Sequence, residues 1–254
     1  MLRARLEATA RNAGRIGDSH TAEAPRLSII IPVLGEGERI EAALGALSPI
    51  RDRGAEIIVV DGGSTDATVE KARRHADLVI VAPRGRGSQM NAGAARANGN
   101  TLLFLHCDTQ LPQDADRLIL EALEQSGCDW GRFDVELFGR PLMLRVVAFM
   151  MNWRSRLTGI ATGDQAIFAR REAFAKAGFF PDIALMEDIA ISKALKQISK
   201  PVAIKTQAIS SGRRFESKGV FRLILLMWFL RLAYWAGADP DGLARRYGYA
   251  SRAR

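Results

Sequence analysis

The sequence has few of the residues that staple or anchor a chain. Its 254 residues include two cysteines, Cys107 and Cys128, and three histidines. Two cysteines make no disulfide framework and suit a reducing cytosol. There is no C-x-x-C and no paired Cys/His spacing, which speaks against a structural zinc site. Residues 1–24 lack the apolar core of a signal peptide. The longest apolar run, Val220 to Ala236, is broken by Arg222 and Arg231 and is shorter than the roughly 20 residues of a spanning helix. No G-x-G-x-x-G follows the first apolar strand, which disfavours a nicotinamide enzyme. Val33-Leu34-Gly35-Glu36-Gly37 is acidic and has no lysine, unlike the phosphate loop expected of a nucleotidyltransferase. The basic residues are dispersed and lack the interleaved aromatics of a nucleic-acid stacking groove.

What is present suits a globular chain. A hydrophobic content of 48% and a charged content of 25% can supply a sizeable core. The net charge of +8 points to anionic partners: nucleotide phosphates, nucleic acid or an anionic membrane surface. Residues 1–24, rich in Arg and Ala, read as a disordered arm. Leu27 to Val33 and Glu56 to Val60 are β-branched apolar runs and read as buried strands. Asp77 to Ala82 and Leu102 to His106 give two more. Helical spacing separates them, as in Ile40, Ala43, Leu44 and Leu47. This β-α alternation predicts an α/β fold with a Rossmann-like, mostly parallel sheet and helices on both faces.

The second half changes character. Phe133, Val135 and Leu137 alternate as in a strand, and Leu142, Val146, Phe149, Met150 and Trp153 share one helical face. Another strand is expected within 162–169, and an amphipathic helix follows Met186-Glu187-Asp188. No linker divides the halves, so 25–215 reads as one domain. Residues 216–254 form a helical appendage with a basic tail that includes Arg252 and Arg254. The apolar helix is either buried or lies at a membrane surface with snorkelling arginines.

Four polar stretches fall at element ends: Pro32 with Glu36, Asp61-Gly62-Gly63-Ser64, His106-Cys107-Asp108 and Glu187-Asp188. Ligands of open α/β sheets bind beyond the carboxyl ends of strands. His106 and Asp108, two residues apart, suit a shared divalent cation, or a packed His and a solvated Asp. Asp61 can accept an N–H from a base or cap its own loop. Arg86 can pair with phosphate, stack on a base or lie in solvent. Asn91 is a loop anchor or an ordinary helix residue. Glu187 and Asp188 can act on a proton or simply favour a helix N-terminus.

Taken in order, these stretches resemble family 2 glycosyltransferases with the GT-A fold. Ser28-Ile29-Ile30-Ile31-Pro32-Val33 with Glu36 resembles the family's opening strand, and Val59-Val60-Asp61-Gly62-Gly63-Ser64 its Asp-Asp-Gly-Ser turn. Phe104-Leu105-His106-Cys107-Asp108 resembles its Asp-x-Asp, and Met186-Glu187-Asp188 its Glu-Asp motif. Gly85-Arg86-Gly87-Ser88-Gln89-Met90-Asn91 and Gly163-Asp164-Gln165 are similar to the bacterial radical-SAM/selenodomain-associated subgroup. The resemblance implies transfer of a sugar from a nucleotide-sugar donor, UDP-linked, to an acceptor hydroxyl by single displacement with inversion. It implies Asp188 as general base and Glu187 as its orienting partner. Pro32, Val33, Glu36, Asp61, Gly62, Arg86, Asn91, His106, Cys107 and Asp108 would bind the donor. Gly163, Asp164 and Gln165 would face sugar or acceptor, and Arg213 and Arg214 the diphosphate. Two departures stand out: Gly62 replaces the second Asp of the turn, and His106 the first Asp of Asp-x-Asp. Asp108, with His106 beside it, would then hold Mn²⁺ or Mg²⁺. The partners implied are a nucleotide sugar and a small-molecule or lipid acceptor. The location implied is cytoplasmic, with peripheral contact at the inner membrane face through 216–254. A non-catalytic nucleotide-sugar binder is the competing reading.

Overall fold

The structure is a computed structural model that describes residues 25–249. The expected disorder of 1–24 and the end of the basic tail lie outside the described residues. Four strands carry the first half: β1 (Leu27–Val33), β2 (Glu56–Asp61), β3 (Leu78–Val81) and β4 (Thr101–Phe104). All their mutual pairings are parallel, with Ile31 opposite Val59 and Ile29 opposite Leu103. Alternate residues of β1 serve opposite faces. Ile29, Ile31 and Val33 enter one core cluster with Ile57, Val59 and Leu103, while Ile30 joins Ile58, Val60 and Leu102 in the other. This two-sided burial explains why the strands read as unbroken apolar runs.

Helices cover both faces. α1 (Ile40–Gly45), α2 (Ser48–Arg51) and α3 (Thr68–Ala72) lie between β1 and β3, and α4 (Arg86–Ala94) precedes β4. Gly93 lets α4 approach the sheet closely: a Cβ there would sit 2.5 Å from Ile30 and 3.0 Å from Val60. β1 pairs with β4 only as far as Ile30, so Pro32 lies past that ladder and its missing N–H breaks no rung.

The second half contains β5 (Thr109–Gln110), α5 (Ala115–Ser126), β6 (Trp130–Phe138), α6 (Met143–Thr158), β7 (Ile167–Arg170), α7 (Arg171–Lys176), α8 (Glu187–Lys196) and β8 (Val202–Ser211). The eight-stranded sheet has the order β3-β2-β1-β4-β7-β6-β8-β5. The parallel character belongs to β1–β4 and to the β6–β8 pair. β7 runs antiparallel to both β4 and β6, and β5 antiparallel to β8. Asn152 pins α6 to β6 by exchanging hydrogen bonds with both backbone groups of Val135, each 2.9 Å.

Three helices end the described chain: α9 (Arg213–Lys218), α10 (Val220–Trp235) and α11 (Pro240–Tyr247). Leu230, Leu243 and Ala244 pack on Leu185, Met186 and Ile189. Leu223 and Leu230 of α10 are buried, with Val220, Ile224 and Leu226 partly buried beside them, but the helix is not buried all round. Arg231 does not snorkel outward either: its Nε is buried. Among the described residues no helix is long and apolar enough to cross a membrane.

Candidate active site

The site begins where β1, β2 and β4 end. The loop after β1 donates three backbone N–H groups to the loop after β2. Gly35 donates to Ser64 Oγ (2.8 Å), Glu36 to Thr68 Oγ1 (2.9 Å) and Gly37 to Asp66 Oδ2 (3.0 Å). The Thr68 hydroxyl and the Gly37 N–H hold the Asp66 carboxyl below its ordinary range. Gln89, reaching up from α4, donates to Val33 O (2.9 Å) and Val60 O (2.7 Å) and ties the two strand ends together.

Asp61 sits at the end of β2 and is buried. Its Oδ2 accepts from Gly63 N and Ser64 N, both 2.9 Å, and Oδ1 from the Ser64 hydroxyl. The carboxylate therefore caps its own turn in this structure. Gly62 lies over Gln89, which a Cβ would meet at 3.0 Å. Val33 offers no free group. Its side chain is in the core, and its carbonyl accepts from both Gly62 N and Gln89.

β4 stops at Phe104, two residues sooner than the sequence suggests. Leu105 N still donates to Ile30 O, but His106 O accepts from Thr109 N and closes a turn. The turn sends His106 and Asp108 to different neighbours. His106 Nδ1 lies 3.5 Å from Asp164 Oδ1, whereas Asp108 Oδ2 lies 3.2 Å from Arg213 Nη2. The two side chains expected to share a cation thus face different partners in this structure, the imidazole Asp164 and the carboxylate Arg213. Among the described residues no group of three or more His, Cys, Asp or Glu side chains is disposed to hold a metal. Asp108 alone fits a hard cation, as a single carboxylate whose remaining ligands would be diphosphate oxygens and water. In this structure Arg213 occupies that carboxylate and also lies 3.6 Å from Glu36, so a cation would reach Asp108 only with Arg213 turned away. Cys107 points to the core, and burial with the Glu36 and Asp108 charges pushes its thiol up to about 12.

Two further stretches meet on the other side. The turn Gly163–Gln165 runs into β7, and its Gly163 N donates to Asp188 Oδ2 at 3.1 Å. Asp188 opens α8, and its other oxygen accepts from Ile189 N at 2.7 Å. Gly163 touches the imidazole face. A Cβ there would come within 2.4 Å of the His106 ring, so only glycine fits. Desolvation alone would raise Asp164, but His106 and Arg86 outweigh it and hold the carboxyl below its usual range. Gln165 is fully buried. It completes a capping box with Thr162 and donates to Asn152 Oδ1, so it shapes the turn instead of facing an acceptor. Asn91 exchanges hydrogen bonds with both backbone groups of Phe180, at 2.8 and 3.0 Å.

His106, Gly163, Glu187 and Asp188 line one small cleft with Met90, Phe104, Ile167 and Phe180; its enclosed volume is about 10 Å³, room for about one water. Burial pushes the Glu187 carboxyl above its ordinary range, the Asp188 charge adds to this, and Arg86 opposes it. Arg86 Nη1 is 4.0 Å from Glu187, and its guanidinium lies 5.4 Å from the centre of the Tyr249 ring. Arg214 stacks on Tyr247 (4.5 Å) and Tyr249 (4.9 Å). The C-terminal tyrosines thus engage two of the arginines expected at the donor, a contact that no local sequence signal announces. Arg154 of α6 and Arg231 of α10 come within electrostatic range of Asp188. Arg154 Nε and Nη2 are buried without hydrogen-bond partners. Burial and the Arg231 charge bring Arg154 down to about 10, against the pull of Asp188.

A sheet with this strand order and a carboxylate-rich rim defines the GT-A class of glycosyltransferases, and comparison with known proteins agrees. Residues 28–177, more than half of the chain, match Glycosyl transferase family 2. The chain belongs to that family. An uncharacterised glycosyltransferase of Mycobacterium tuberculosis is 32% identical over 133 residues, covering 51% of this chain and 59% of the relative. The chain thus spans about three-fifths of that relative's length. The mannosyltransferase PcManGT of Pyrobaculum calidifontis, solved with GDP-Man and Mn²⁺, superposes with a TM-score of 0.61 at 21% identity, over 98% of this chain and 77% of that one. Glucosyl-3-phosphoglycerate synthase of M. tuberculosis, solved with Mg²⁺ and UDP, gives 0.53 at 20% identity, over 82% and 74%. These likenesses show the shared fold.

Proposed function

We propose that the chain transfers a sugar from a nucleotide-sugar donor, UDP-linked, to an acceptor hydroxyl in one inverting displacement. The observation that carries this reading is the Asp188 carboxylate, held by Gly163 N at 3.1 Å on the wall of the cleft. A carboxylate fixed at both oxygens is positioned to take the hydroxyl proton as the oxygen attacks the anomeric carbon, typically a factor of ~10²–10⁴ in rate. Glu187 is buried beside it, where burial and the Asp188 charge raise its carboxyl and Arg86 opposes them, and its role is to orient sugar or acceptor.

Donor recognition falls to the opposite wall. Glu36 and the 61–64 turn would frame the base and ribose, with Pro32 and Gly62 as its floor. Arg213, and Arg86 once it leaves Tyr249, would pair with the diphosphate. Asp108 would hold Mn²⁺ or Mg²⁺, the ions in the structural neighbours, and such an ion offsets charge on the leaving diphosphate. Asp164 and Gly163 would face the transferred sugar. Within the family we place the chain nearest the radical-SAM/selenodomain-associated subgroup, on the 85–91 and 163–165 stretches. Its setting is the cytoplasm, with peripheral membrane contact through 216–254.

The test is a panel of nucleotide sugars assayed by thermal shift with and without Mn²⁺, followed by nucleoside-diphosphate release. A ligand that binds only the folded state raises the melting temperature by mass action. Stabilisation by one nucleoside diphosphate and its sugar, stronger with metal, is the expected result. An indifferent response across the panel would overturn the reading.

A further inference from the structure

α6 and α10 each bury one stripe and leave another bare. On α6 the bare stripe is Val146 (49% exposed), Phe149 (65%), Met150 (42%), Trp153 (52%) and Leu157 (66%), led in by Leu142 (83%). On α10 it is Phe221 (70%), Leu225 (71%), Trp228 (68%), Phe229 (49%), Leu232 (64%) and Trp235 (76%). Both sets recur at spacings of three and four, so each forms a single helical face. The two helices are neighbours: Leu144, Val147 and Ala148 of α6 share a core cluster with Val220 and Ile224 of α10. Single exposed apolar residues are ordinary, but large side chains massed on two adjoining helices mark an interaction surface.

We propose that these faces together form a docking platform for an anionic bilayer surface, with both helices lying along it. Charge identifies the occupant. Residues 139–157 and 217–235 contain Arg140, Arg145, Arg154, Arg156, Lys218, Arg222 and Arg231, and no acidic residue. Arg145 and Arg222 are exposed on the two helices themselves, and Arg245 and Arg246 of α11 are exposed nearby in the chain. Arg154 and Arg231 are turned inward, Arg156 pairs with Asp134 and the exposed Glu216 accepts from Arg140 N, so the cations left to edge the stripe are Arg140, Arg145, Lys218 and Arg222; a net positive edge suits acyl chains beneath anionic head groups. A second copy of the chain would bring like charges together at the same edge, which disfavours it. α10 spans about 24 Å at 1.5 Å per residue, less than a ~30 Å hydrocarbon core, so it fits along the interface and not through it. Three of the four tryptophans of the chain sit on the platform, where indole rings favour the head-group level. Arg154 and Arg231 project from the same two helices toward Asp188.

The experiment is co-sedimentation of the full chain with phosphatidylcholine vesicles, with and without phosphatidylglycerol, across a salt series. Binding should require the anionic lipid, weaken with salt and shift tryptophan emission to the blue. Leu225→Glu/Trp228→Glu and Val146→Glu/Phe149→Glu should each reduce binding at least ~tenfold, since each removes apolar burial and adds charge of the wrong sign. All four positions are exposed, so both variants should keep the wild-type melting temperature and nucleotide response. That control separates a failed platform from a failed catalytic reading. Lack of binding to anionic vesicles would overturn the proposal. So would an α6 variant that binds like wild type, or a dimer in sedimentation velocity that both variants dissolve.

Discussion

The strand-rich first half and the helical end of the molecule are built on different terms. β1, β2 and β4 bury nearly every side chain, Ile29, Ile30, Ile57 and Ile58 completely. α10 has sixteen residues and buries two. In the first half, apolar content becomes core, and its rim holds the residues proposed for the donor through hydrogen bonds to backbone. In the second, much of the apolar content becomes surface; Leu223, Leu230, Leu243 and Ala244 turn inward, together with arginines near Asp188 and tyrosines over Arg86 and Arg214. The contrast suggests a division of labour: a rigid half for a common donor chemistry, and an adaptable half for the acceptor and its location.

The largest effect should come from the residue where the halves meet. Asp188→Asn keeps shape and the Gly163 hydrogen bond but removes the proton acceptor. Nucleoside-diphosphate release should fall by ~10²–10⁴ with the melting temperature held. Asp108→Asn should abolish the metal-dependent part of UDP stabilisation while leaving Asp188 chemistry intact. If both variants transfer at the wild-type rate, the roles given to the two halves are wrong.

Next in size is a core truncation. Ile58→Ala removes a fully buried side chain between β1 and β3, where close-packed neighbours cannot collapse inward. A loss of about 2–5 kcal/mol is expected in urea unfolding. A loss below about 1 kcal/mol would contradict the claim that the donor half is rigid.

The same difference decided what the sequence disclosed. Two-sided burial writes strands as plain apolar runs, so β1, β2 and β4 were legible, and the polar residues ending them marked the rim. The end of β4 was not: Leu105 still bonds to Ile30, and the turn that parts His106 from Asp108 depends on Thr109 reaching β8. Pairings of distant residues were equally hidden. Arg213 with Asp108, His106 with Asp164 and Asn91 with Phe180 are separated by 58 to 105 positions and face each other only through the fold. Gln165 carries a polar side chain in a site motif, yet only its burial shows that it is spent on the turn. Arg231 looked like a charge at a membrane edge, and only tertiary structure turns it toward Asp188.

A smaller effect should run opposite to intuition. Glu187 is buried, and burial with the Asp188 charge raises its carboxyl above the unfolded value of 4.5. A raised carboxyl supports the fold fully below the unfolded value and loses that support as pH rises through the folded one. Glu187→Gln should therefore match wild type in melting temperature at pH 4 and exceed it at pH 8, while transfer falls. Equal melting temperatures at both values would show that Arg86 fully offsets the burial.

The smallest effect is the sharpest probe of the contrast. Leu232 has the same apolar character as a core leucine but is 64% exposed on α10. Truncating an unburied side chain forfeits little transfer free energy, and alanine is the better helix former. Leu232→Ala should shift stability by no more than about 0.5 kcal/mol in lipid-free buffer, against several for Ile58→Ala. Adding anionic vesicles should separate Leu232→Ala from wild type, because only then does the side chain acquire surroundings to lose. A large destabilisation without lipid would mean that α10 is already covered in solution, and the difference between the two halves would disappear.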